Sequence, residues 1–97
     1  EHVRVHVQSN HDKAYQSIYI QVLDKNLSAK AKGILIILFI AYIQGRILSA
    51  QEVSEMVTDG LSSTYSSLNE LIKFGYVKRT AFRDHGKFIK RGYFASI

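Results

Sequence analysis

Three features of the 97-residue sequence predict an α+β fold with its helices first and a β-hairpin last. A capped helix, a turn and a second helix fill Ser49 to Gly75. Two β-rich runs around a glycine-containing turn follow from Tyr76 to Ser96. A long apolar helix precedes both, between Ser28 and Gly45. An N-terminal strand and three helices are therefore expected, closed by the hairpin. Residues 1–97 are expected to form one domain, too short for two cores but long enough for one without disulfides or metal.

Val3, Val5 and Val7 alternate with Arg4, His6 and Gln8, the period of a half-buried strand that pairs either with the hairpin or with a second copy. His2 and His6 share a face of that strand, but no third ligand lies near them, so no metal is expected. Ser9 to Lys13 read as a polar loop. Tyr15 to Leu23 are a mixed apolar segment to which the pattern assigns no structure, ending at Asp24-Lys25-Asn26.

Ser28 caps the first helix, which carries Lys30 and Lys32 early and is continuously apolar from Ile34 to Ile43, and Gly45 ends it. Ten apolar residues fall short of the roughly twenty that a membrane span requires. Two stripes are apolar: Ile34, Leu38 and Ala41, and then Ile36, Phe39, Ile40 and Ile43. A helix with two apolar faces is wrapped by its own domain or shared with a partner, and a homodimer is expected.

Ser49 stands three residues before Glu52, the spacing of a capping box, so a helix begins near Ala50 with Val53, Met56 and Val57 on one face. Thr58-Asp59-Gly60 makes the turn. The next helix runs from Leu61 to Phe74, with Leu61, Tyr65, Leu68, Leu71 and Ile72 facing inward and Gly75 ending it. Its outward stripe is Ser62, Ser63, Ser66, Asn69, Glu70 and Lys73. Short polar side chains at the start of such a second helix suit close approach to a DNA backbone, so Ser62, Ser63, Ser66, Asn69 and Lys73 are candidate DNA contacts.

Tyr76 to Phe82 and Phe88 to Ser96 are the strands, with Asp84-His85-Gly86 supplying positive-φ positions for a tight turn. Gly92 inside the second run marks a bulge or a close backbone approach. Tyr76, Phe82, Phe88, Tyr93 and Phe94 are expected in the core or packed on the sheet. A hairpin directly after the second helix is the wing of a winged helix-turn-helix.

Charge is segregated along the chain. Residues 1–75 hold seven Lys/Arg and seven Asp/Glu. Residues 76–97 hold six cations against Asp84 alone, which is the whole net charge of +5. Lys78, Arg79, Arg83, His85, Lys87, Lys90 and Arg91 are therefore the candidate DNA contacts of the wing, with Arg83 and Lys87 at its tip. Arginine reads guanine bidentately or enters a narrow minor groove, and the second helix has none. The wing is expected to supply much of the affinity, and the helix to dock on phosphates.

Other classes find less support. There is no Gly-x-Ser-x-Gly elbow, no phosphate-binding glycine loop and no pair of histidines with a carboxylate at metal-ligand spacing, so no enzyme and no cofactor are expected. The absence of cysteine fits a reducing cytoplasm, and no signal peptide or lipidation motif is present. The first residue is Glu1 rather than methionine, so the natural protein is expected to begin earlier. RNA binding lacks an evident stacking platform.

Over residues 15–95 the chain resembles the winged-helix domain at the N-terminus of phage and plasmid replication initiators of the replisome-organiser, DnaD-like type. The matching runs are LDKNLSAKAKG from Leu23 to Gly33, Asp59-Gly60, and Ser67-Leu68-Asn69-Glu70-Leu71 leading into Phe74-Gly75-Tyr76-Val77-Lys78-Arg79. Arg83-Asp84-His85-Gly86-Lys87-Phe88 completes them. Such proteins usually carry a second domain, whereas this chain stops after the wing. The resemblance implies double-stranded DNA binding at a mobile-element origin, in replication initiation or conjugative transfer, alongside a larger replication or transfer protein. A winged-helix transcriptional repressor and a protein-docking winged helix are the alternatives.

Overall fold

The computed structural model describes residues 9–96. Within them four helices precede an antiparallel hairpin: α1 (Ser9–Val22), α2 (Ala29–Ile43), α3 (Ala50–Ser54), α4 (Gly60–Lys73), β1 (Val77–Asp84) and β2 (Lys87–Ala95). This α+β order is compatible with a winged helix. The expected strand at Val3–Val7, with His2 and His6, lies outside the described residues.

The expectation of three helices is corrected by α1, which absorbs both the expected polar loop at Ser9–Lys13 and the unassigned segment after it. Packing against α2 holds it. Ile18 is buried, Tyr15 and Val22 pack beside it, and the Tyr15 ring meets Phe39 of α2 edge-on at 5.6 Å. That contact buries Phe39, one member of the second apolar stripe, while Ile36 and Ile40 stay exposed.

The central element is α2. Ala31, Ile34, Leu35, Leu38 and Ala41 are buried, and Ser28 caps its start by accepting the Ala31 amide at 3.1 Å. At its end Gly45 takes φ +74°, which lets the Gly45 and Arg46 amides close on the Tyr42 and Ala41 carbonyls. No helix among the described residues is long and apolar enough to cross a membrane.

The capping box forms as expected: Ser49 Oγ accepts the Glu52 amide at 3.1 Å, and Glu52 Oε1 accepts the Ser49 amide at 2.8 Å. Because α3 ends at Ser54, Val53 alone of its expected apolar face is buried; Val57 is half-buried and Met56 exposed.

The inward face of α4 differs from the expected stripe. Thr64, Ser67, Leu68 and Leu71 are buried, whereas Leu61 and Tyr65 are exposed. Thr64 can turn inward because its hydroxyl donates to the Gly60 carbonyl at 2.8 Å, which pairs the donor it buries.

The Tyr76 hydroxyl ties the start of the hairpin to the α1–α2 loop by donating to Asp24 Oδ2 at 2.6 Å. That bond, with the Asn26 amide second, holds the Asp24 carboxyl below its ordinary range, and the same bond raises the Tyr76 phenol. The Asp24 contribution to stability is present above its unfolded pKa and disappears as pH falls through the lower folded value. The Tyr76 contribution is present below its unfolded pKa and disappears as pH rises through the higher folded value. Tyr76→Phe is therefore expected to lower Tm most at neutral pH and to converge with the natural chain at both extremes. Melting curves from about pH 3 to about pH 11 check this.

In the hairpin, His85 (φ +52°) and Gly86 (φ +82°) form a two-residue turn between the paired Asp84 and Lys87. Phe82 pairs with Lys90 and Arg83 with Phe88, so the bulge falls at Ile89 rather than at Gly92. Gly92 is instead a site of close approach, under Ile47 and Phe82. Leu48 and Tyr93 exchange backbone hydrogen bonds of 3.3 and 2.7 Å, which anchors the base of β2 to the segment entering α3.

Candidate nucleic-acid interface

Helical geometry sets what α4 offers to a ligand. With Thr64, Ser67, Leu68 and Leu71 inward, the opposite side presents Ser62, Ser66, Asn69 and Lys73, all exposed. Two residues of the expected outward stripe are otherwise engaged. Lys30 of α2 donates to Ser63 Oγ, leaving Ser63 half-buried. Glu70 accepts the Ser28 amide at 2.7 Å and the Ser28 hydroxyl at 2.9 Å, which sets its carboxylate at the positive end of α2. Ser63 and Glu70 thus join α4 to α2, and Lys30 is carried to the first turns of α4. Asp59, the residue before α4, makes no side-chain cap, and the first turn holds no acid.

The candidate wing residues Lys78, Arg79, Arg83, His85, Lys87, Lys90 and Arg91 are all exposed. The pairing register divides them. Arg79 and Arg91 share the face that carries Val77, Tyr93 and Ala95 into the core, while Lys78 and Lys90 lie on the other. A flat ligand cannot touch both sets. Two walls of a groove into which the ribbon is inserted reach both faces at once.

The cations also differ in how far they are committed. Lys90 lies 3.3 Å from Glu52 Oε1 and 5.3 Å from the centre of the Phe82 ring, so it braces the wing against α3. The Ser49 amide, opposed by burial and helped by Lys90, holds the Glu52 carboxyl below its ordinary range. Arg83 sits 5.9 Å from the centre of the Phe88 ring, and His85 lies 3.7 Å from Asp84.

Between α3, α4 and β2 runs a groove of about 470 Å³ lined by Ser49, Gln51, Tyr65, Phe88, Lys90 and Arg91. Two of its aromatics were expected inside: Tyr65 is 46% exposed and Phe88 52%. Of the other aromatics assigned to packing, Tyr93 is buried and Tyr76, Phe82 and Phe94 are half-buried. Tyr65 was ambiguous in the sequence because Thr64 and Ser67 occupy the neighbouring helical positions and compete for the inward face. Lys30 carried no local signal, since it reaches α4 only through the packing of α2. No protein-family model and no curated protein sequence matches this chain.

Proposed function

We propose that α2 to β2 form a winged helix-turn-helix and that the chain binds double-stranded DNA. The order of helix, Leu48 bridge, two helices and hairpin supports the fold reading. The observation that carries the functional reading is the wing itself: it holds the whole net charge of the chain, with cations on both faces of one ribbon. A ribbon charged on both faces matches a groove lined by phosphate on two sides. Beside it, α4 presents serines, asparagine and Lys73, which suit docking on the backbone.

The role is binding without catalysis or cofactor: marking a plasmid or phage origin for a larger replication or transfer protein. The resemblance of the Leu23–Gly33 and Phe74–Phe88 runs to replication initiators supports that setting. Selection of bound duplexes from a random DNA pool, near physiological salt with competitor DNA, tests it. Enrichment of a defined A/T-containing motif is the expected result. Failure to enrich any motif would leave non-specific binding or an acidic protein partner, and would sink the origin-binding reading.

The chain acts here as a homodimer. An apolar groove of about 530 Å³ between α1 and α2, lined in part by Tyr19, Leu23, Ile36 and Ile40, supports pairing. Tyr19, Leu23, Ile36 and Ile40 are all exposed, and the same patch meeting itself on a second copy would withdraw them together from water. Leu23→Asp/Ile40→Asp is expected to convert a two-chain sedimentation mass to that of one chain. A one-chain mass for the unsubstituted protein, with and without DNA, would remove the dimer.

A further inference from the structure

The tip of the wing carries apolar surface that the fold does not use. Phe88 and Ile89 are adjacent, 52% and 59% exposed, and neither is a member of the buried core. Every other residue from Arg83 to Arg91 apart from Gly86 is charged or titratable. Ile89 is the bulged residue, with no partner across the ladder. A bulge turns the strand and re-aims its side chains, which is why bulges recur where a side chain must reach a ligand. Exposed hairpin strands otherwise avoid large apolar side chains, which invite aggregation.

The geometry points to a wedge: Phe88 and Ile89 enter the minor groove, slide between two base pairs and bend the duplex. This rests on the DNA reading above and adds a mechanical consequence to it. The chemistry of the surroundings selects the occupant. The apolar faces of base pairs lie between two rows of phosphates, and here two apolar side chains lie among Arg83, Lys87, Lys90 and Arg91. Arg83, packed over the Phe88 ring at 5.9 Å, is placed to hold a phosphate beside the inserted side chain. Pyrimidine–purine steps unstack most readily, so they are the preferred points of entry.

Two assays on one duplex separate this inference from the reading beneath it. A mixed-sequence duplex of about 100 bp is shorter than the DNA persistence length of about 150 bp and circularises poorly under ligase. Mobility shift measures binding to it, and the yield of circles measures bending. The unsubstituted chain is expected to raise the yield roughly tenfold at saturation. Phe88→Ser/Ile89→Ser is expected to keep binding within about tenfold yet return the yield to that of DNA alone, while Phe88→Leu/Ile89→Met restores it. Circular dichroism checks that both variants are folded, as the exposure of the two positions leads one to expect. Saturated binding without extra circles, or circles undiminished by the serine pair, overturns the wedge and leaves DNA binding standing. Absence of any shift overturns the DNA reading, and the wedge falls with it.

Discussion

Arg83→Ala/Lys87→Ala is expected to lower affinity for duplex DNA about a hundredfold and to flatten its salt dependence. The magnitude follows from two charged phosphate contacts at about 1.5 kcal/mol each. The slope of log affinity against log salt should lose about 0.9 for each contact, close to 2 in all. Lys90→Ala makes the contrast. Its ammonium already lies 3.3 Å from Glu52, so part of its charge is neutralised within the protein and the salt slope should change less. Ser66 and Asn69 are exposed on α4, and Ser66→Ala and Asn69→Ala should each weaken binding about tenfold, since a hydrogen bond to a charged phosphate contributes about 1.5 kcal/mol, but should leave the salt slope unchanged because a neutral donor releases no counterion. Salt titrations of the four proteins decide the division of labour. An unchanged slope in the wing variant, with binding abolished by Ser66→Ala or Asn69→Ala, would move the readout from the wing to the helix.

Short-range chemistry was legible in the sequence, and long-range packing was not. The capping box at Ser49 and Glu52, the Ser28 cap, the glycine stops at Gly45 and Gly75 and the turn at His85-Gly86 all depend on residues within a few positions of one another. Each formed as its local chemistry requires. Hydrophobicity ranks Leu61 and Tyr65 above Thr64 and Ser67, so the sequence pattern points to a different face of α4 from the one that is buried. Thr64 instead pairs its hydroxyl with its own helix, and Ser67 is small enough to be enclosed. Nor does a polar start such as Ser9–Lys13 announce α1, which is fixed by Tyr15 and Ile18 meeting α2. The charge of the site was visible by counting. Its division between the two faces of the wing, the engagement of Ser63 and Glu70 with α2 and the arrival of Lys30 at α4 required the tertiary arrangement.

Gly92→Ala and Gly33→Ala are expected to change stability in opposite directions. At Gly92 a Cβ would lie 2.6 Å from Ile47 Cγ2 and 2.6 Å from Phe82 Cε2, well inside van der Waals contact. Ile47 is β-branched and stiff at χ1, so its methyl cannot swing clear without moving the backbone. The Phe82 ring must then rotate away, which gives up its contact with Lys90 and loosens the brace between wing and α3. Overpacking of this kind costs about 1–3 kcal/mol, or a fall in Tm of roughly 5–15 °C for a chain of this size. At Gly33, inside α2 and exposed, no atom lies within 4 Å of an added Cβ. Alanine there removes the backbone entropy of glycine from a helix interior and should stabilise by about 0.5–1 kcal/mol. Thermal melts of the two variants against the natural chain provide the check. A Gly92→Ala protein melting with the natural chain would mean that Ile47 and Phe82 give way freely. The wing would then be hinged at its base rather than held against α3, and its cations would reach DNA by swinging into place.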